Sequence, residues 1–225
     1  MSQTELLPCV EIATSTDPVA SVIWLHGLGA DGNDFAPVVP ELGLPDELAV
    51  RFVFPHAPYM PISCNNGYVM RAWYDILYFD DIDRHADENG VRQSVDLVRA
   101  LIARENERGI PTSRIVLAGF SQGGAIAYTA GLTHPDAFAG IVALSTYLPA
   151  PQLLGNAEKL PNAATSIFAA HGNADPVVPF ALGQQAAEQV ARFGNPVEWH
   201  SYPMQHSVCL PEIQHIGAFL RRVLA

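Results

Sequence analysis

Residues 114–131 constrain the fold of this chain more tightly than any other stretch. Arg114-Ile115-Val116-Leu117-Ala118 is a short apolar run rich in β-branched residues, the pattern of a buried strand. Gly119-Phe120-Ser121-Gln122-Gly123-Gly124 follows at once, and residues 125–131 are small and apolar, as in a buried helix. Gly-x-Ser-x-Gly between a strand and a helix reads as a nucleophile elbow. The turn is strained and the helix packs close to the strand, so glycines are needed two residues either side of the serine. Ser121 then projects its hydroxyl from the top of the sheet, with the first helical amides turned toward it. The motif alone is weak, because the same residues also make an ordinary serine-capped turn between strand and helix. The rest of the chain has to supply an acid, a base and an oxyanion donor.

Around the elbow, strand-like runs alternate with helical ones, which predicts an α/β fold with a mostly parallel sheet flanked by helices and no large cap. Strands are expected at 20–25, 51–54, 139–144, 165–170 and 197–202, with a short edge strand at 6–14. Residues 91–108 carry an apolar stripe at Val91, Val95, Val98, Leu101 and Ile102 that stops at Gly109. Helices are also expected at 181–193 and from Pro211 onward, and a short one at 34–42 interrupted by Pro37 and Pro40. A length of 225 residues suits a single domain spanning 1–225.

Residues 56–90 break the alternation. They combine Pro58, Pro61 and Gly67 with Tyr68, Trp73, Tyr74, Tyr78 and Phe79, then an acidic run from 80 to 89. A loop of that length is a candidate pocket wall, or its aromatics plug the sheet edge. The acidic run lacks the glycine and terminal glutamate of a calcium loop and reads as a solvated face. Residues 149–162 form a second irregular stretch.

The formal net charge of −11 disfavours nucleic acid and anionic membrane surfaces as partners. The three cysteines, Cys9, Cys64 and Cys209, are far apart and suggest free thiols rather than a disulfide framework or a metal site. The first residues have no basic segment followed by an apolar core, so no signal peptide or stable membrane insertion is expected and the cytoplasm is the default location.

In open α/β sheets the chemistry collects at the carboxyl ends of the strands. The strand ends here deliver His26-Gly27-Leu28-Gly29, Ser121, Ser145, Asp175 and His206. Ser121, Asp175, His206 is the nucleophile–acid–base order of α/β-hydrolases. Of eight histidines, His206 alone follows the last strand on a loop. His26 and His171 read as loop braces, and His85, His134, His200 and His215 lie in unsuitable places. The oxyanion hole needs two backbone amides, for which Gln122, after the serine, and Leu28, between two glycines, are the candidates.

These anchors, with Trp73-Tyr74-Asp75, Val178-Pro179 and Tyr202-Pro203-Met204, resemble the carboxylesterase and acyl-protein thioesterase family of small α/β-hydrolases, most closely the bacterial carboxylesterases. The resemblance implies Ser121 as nucleophile, Asp175 as acid, His206 as base, and Leu28 and Gln122 as the hole. It implies hydrolysis of small carboxylic esters or thioesters without a cofactor or metal. Trp73 and Leu148 are expected to line the acyl side, and the chain to be a monomer or homodimer. Alternatives are an acyl-protein thioesterase or lysophospholipase with the same triad, or a binding protein that has lost catalysis. The family usually has glycine immediately before the base; Gln205 stands there, which predicts either a strained residue with positive φ or a rebuilt loop.

Overall fold

The computed structural model describes residues 6–79, 84–155 and 160–225. Seven strands form the central sheet: β1 (Cys9–Ala13), β2 (Ala20–Leu25), β3 (Val50–Pro55), β8 (Ile115–Phe120), β9 (Gly140–Leu144), β10 (Ile167–Gly172) and β11 (Val197–Tyr202). Their order across the sheet is β1-β3-β2-β8-β9-β10-β11, and only β1 runs antiparallel, on the edge. Pro8 just precedes that edge strand, where a missing amide disturbs no ladder.

The interior strands are mostly apolar because both faces are covered. Along β2, Val22 and Trp24 enter one core while Ile23 and Leu25 enter the other. Helices α1 (Glu88–Glu107) and α2 (Gln122–Thr133) pack on the second face; α4 (Leu210–Val223) and a 3-10 turn over Ala36–Leu42 pack on the first. Helix α3 (Phe180–Arg192) adds a third cluster with Tyr128, Leu132 and Ile167. Trp24, Phe52, Phe168 and Phe219 are almost wholly buried, each contributing about 1.5–3 kcal/mol by area. The Ala36–Leu42 segment winds as a 3-10 helix, with Pro37 in its first turn and Pro40 inside it.

Residues 56–90 are not one irregular loop. They hold two antiparallel ribbons, β4 (Tyr59–Ile62) with β5 (Tyr68–Arg71) and β6 (Ile76–Phe79) with β7 (Arg84–Ala86). The ribbons escape a sequence reading because their strands are only three or four residues long, and β4 and β5 are largely solvent-facing rather than alternating cleanly in and out. Asp87, within the acidic run, caps α1 by accepting the Asn89 amide at 3.0 Å, so the helix starts three residues before Val91. Asp80, Asp81 and Asp83 lie outside the described residues. In the second irregular stretch Pro151–Leu154 form a 3-10 turn, and residues 156–159 are outside the described set.

Candidate active site

Register places the chemistry. Leu25 pairs with Gly119, Phe120 with Leu144, Ala170 with Leu144, and Gly172 with Tyr202. The loops after β2, β8, β10 and β11 therefore leave the sheet side by side at its carboxyl end.

Ser121 holds φ 54° and ψ −120°, an unfavourable conformation for a residue with a side chain. Close packing enforces it. A Cβ on Gly119 would meet the Gly123 carbonyl at 2.4 Å, and one on Gly123 would meet the Leu25 and His26 carbonyls at 2.3 and 2.5 Å. The Ser121 amide donates to Leu144 O at 2.8 Å, and Thr146 Oγ1 donates to the Ser121 carbonyl at 2.7 Å. Ser145, one residue earlier, is a buried residue that also has positive φ, 46°.

His206 Nε2 lies 2.9 Å from Ser121 Oγ, and its Nδ1 lies 2.7 Å from Asp175 Oδ2. The Val177 and Val178 amides donate to Asp175 Oδ1 at 2.8 and 2.9 Å. His171 Nε2 is 3.4 Å from Oδ2 and donates to Val178 O at 2.9 Å. Burial alone would favour the neutral acid. The hydrogen bonds from His171, His206 and the two amides reverse this and hold the carboxyl well below the usual range, so it is ionised. His206 Nδ1–H then points at the carboxylate, and Nε2 is free to accept a proton from Ser121.

Neither the Leu28 amide nor the Gln122 amide is engaged in a hydrogen bond among the described residues. Gln122 is the first residue of α2, where the amide has no partner within the helix. Leu28, Gln122, Ser121 and His206 share a cleft of about 240 Å³ whose other walls include Ile76, Phe120 and Tyr147. Among the described residues, no three His, Cys, Asp or Glu side chains are grouped to hold a metal, and no helix is long and apolar enough to cross a membrane.

Two expectations need correction. Trp73 does not line the cleft; it is fully buried beneath the β2 loop, packed with Val91, Val95 and Ile126. Leu148 turns into the cluster around Tyr128, Leu132 and Leu154, and its neighbour Tyr147 forms the wall instead. Tyr147 is held there by a 2.9 Å bond between its hydroxyl and that of Tyr74. Of the two readings of Gln205, the strained one fails, because the residue has no positive φ and its side chain is exposed. The close approach that needs glycine falls on Gly172, across from it on the neighbouring strand.

His26 braces its loop. Its Nε2 accepts the Ala57 amide at 3.1 Å, which puts the proton on Nδ1, 2.7 Å from Gly27 O. Burial pushes this imidazole below its ordinary pKa, in keeping with a neutral ring. Sequence reasoning missed the Gln122 side chain, which is almost wholly buried. A long polar residue opening an otherwise small, apolar helix was the available signal.

A mostly parallel sheet with a strained serine elbow after β8, an acid after β10 and a histidine after β11 defines an α/β-hydrolase of the serine hydrolase class. The chain belongs to the phospholipase/carboxylesterase family, whose sequence profile matches residues 7–224. It is 40% identical over 221 residues to acyl-protein thioesterase 1 of Mycosarcoma maydis, covering 92% of each chain. The Neurospora crassa acyl-protein thioesterase 1 is 42% identical over 225 residues, covering 96% of this chain and 89% of that one. Among solved structures, Zea mays acyl-protein thioesterase 2 superposes with a TM-score of 0.84 at 25% identity, over 97% of this chain and 99% of the maize protein.

Proposed function

We propose that this hydrolase cleaves carboxylic esters and thioesters of short to medium acyl groups, as a single domain in the cytoplasm, by acyl transfer through Ser121. His206 takes the Ser121 proton as the hydroxyl oxygen attacks the carbonyl carbon. The Leu28 and Gln122 amides receive the oxyanion, and Asp175 stabilises the imidazolium. The tetrahedral adduct collapses, His206 returns the proton to the leaving alcohol or thiol, and an acyl-enzyme remains. Water then repeats the sequence and releases the acid.

The observation that carries this reading is the unbroken chain Ser121 Oγ–His206 Nε2 (2.9 Å) and His206 Nδ1–Asp175 Oδ2 (2.7 Å), opening on a cleft with two unengaged amides. That completeness disfavours a binding protein without catalysis. A cleft of about 240 Å³ is smaller than the ~300–1,000 Å³ of drug-sized ligand sites, which favours compact acyl groups. The thioesterase names of the fungal relatives favour thioesters beside oxygen esters. A net charge of −11 disfavours an anionic lysophospholipid surface or nucleic acid as partner.

The test is turnover of p-nitrophenyl butyrate and of the matching butyryl thioester. Wild type should hydrolyse both, and Ser121→Ala should be folded with kcat lower by about 10⁴ or more. A fluorophosphonate should add one mass increment, on Ser121. Undiminished turnover by Ser121→Ala would overturn the reading.

A further inference from the structure

Trp73 is fully buried, yet both of its N–H groups point at the elements that carry the two unengaged amides. Its indole Nε1–H donates to the His26 carbonyl at 2.9 Å, two residues before Leu28. Its main-chain N–H donates to Gln122 Oε1 at 2.8 Å, and Gln122 Nε2 donates on to the Tyr74 carbonyl at 2.7 Å. Ser94 Oγ, from α1, donates to the Trp73 carbonyl.

One residue thus bridges the end of β2 and the start of α2, the two segments that carry the Leu28 and Gln122 amides. The other side of the β2 loop is held by the His26 ring, through Ala57 and Gly27. Neither the indole nor the Gln122 amide group meets solvent, so these bonds are not weakened by exchange with water, and unpairing one leaves a buried donor or acceptor unsatisfied.

We infer that Trp73, acting with the Gln122 side chain, is a positioning residue that sets the separation of the two oxyanion amides. This rests on the hydrolase reading above. Donors of an oxyanion hole act by being preorganised at hydrogen-bond distance from the developing charge, so a tie between them has its effect in the transition state and not in substrate binding. A Trp73 that merely filled the core would affect stability alone.

The experiment uses the full chain and p-nitrophenyl butyrate, with Ser121→Ala measured first. Trp73→Phe keeps an aromatic ring and removes the indole N–H. It should lower kcat about 10- to 100-fold with KM changed less than about twofold. A trifluoromethyl ketone carries the readout that packing would not move. Ser121 Oγ bonds to its carbonyl carbon, the Ser121 proton passes to His206, and the oxyanion occupies the hole. Affinity for this ketone should fall by the same factor as kcat. Gln122→Met should behave alike, and the double variant should lose little more than the worse single one, because both cut one circuit.

3-Benzothienylalanine at position 73 preserves the ring outline without the N–H, and serves if Trp73→Phe fails to fold. A lower melting temperature with unchanged kcat and ketone affinity would overturn the inference, as would fully multiplicative losses in the double variant. Ser121-dependent turnover that Trp73→Phe leaves intact overturns this inference alone. A wild type with no Ser121-dependent turnover overturns the proposed function and this inference with it.

Discussion

Gly172 lies directly beneath Gln205: a Cβ on Gly172 would stand 2.3 Å from the Gln205 carbonyl and 2.4 Å from that of Met204. The loop bearing His206 is thus seated on the end of β10. Its fit is tightened by the Asn173 amide on Tyr202 O at 2.9 Å and the Ala174 amide on Met204 O at 3.2 Å. The contacting atoms are backbone and cannot swing aside.

Gly172→Ala should therefore lift the His206 loop, costing about 1–3 kcal/mol of stability through overpacking. Turnover should fall at least about tenfold as the Ser121–His206 distance opens. Gln205→Gly is the contrasting variant. With no positive φ to relieve, it only frees the unfolded chain, so it should cost about 0.5–1 kcal/mol and leave kcat nearly unchanged. Thermal unfolding and kcat on both variants decide the matter. A stabilised Gln205→Gly would show that the strain lies at that residue after all.

Asp175→Asn removes the carboxylate that directs the His206 Nδ1 proton. By analogy with serine proteases kcat should fall about 10⁴-fold. The same variant has a pH signature. The Asp175 pKa is depressed from 3.8 in the folded protein, so its ionisation adds stability above that value, and the contribution disappears as the pH falls through the folded pKa. The stability gap between wild type and Asp175→Asn should be widest near neutrality and narrow progressively below about pH 4. A gap independent of pH in urea titrations would contradict the assigned hydrogen bonds.

Glu212 predicts the opposite trend. It is fully buried in the first turn of α4, and burial pushes its carboxyl up from 4.5 to about 8, only partly offset by the Cys209 amide. Between those values the folded protein holds a proton that the unfolded chain releases. Stability should therefore fall as the pH rises through that window, by up to ~1.4 kcal/mol per pH unit. Glu212→Gln should remove the slope, gaining on wild type at pH 9 and matching it near pH 5. Equal differences at the two pH values would rule out a buried neutral carboxyl.

The parallel sheet is legible in the sequence because its interior strands are buried on both faces and read as mostly apolar runs. Ala20–Leu25 and the half-buried end strand Val197–Tyr202 fall at the expected residues, the other parallel strands shift by at most two residues, and the antiparallel edge strand begins three residues later than expected. Because loops after parallel strands emerge at the same edge, locating strand ends reduced the candidates to a few, and the Gly-x-Ser-x-Gly motif with the nucleophile–acid–base order picked out Ser121, Asp175 and His206, which the fold joins by hydrogen bonds. What periodicity does not carry was missed. A ribbon with exposed Tyr59, Tyr68 and Val69 has no core-facing stripe. An aromatic such as Trp73 reads the same whether it lines a cleft or lies under one, and the direction of the Gln122 side chain depends on a segment some 50 residues away.

His206 and Ser121 are separated by 85 residues along the chain, with β9, β10, α3 and β11 between them. Closing that span requires four successive strands to have found their neighbours, and such non-local contacts come late because loop-closure entropy must be overcome first. Compact species on the way to the native state should already carry helical signal and the β8–α2 elbow while lacking any competent hydroxyl. In stopped-flow refolding, recovery of esterase turnover should then lag the far-ultraviolet dichroism, making acyl transfer a reporter of the last docking step.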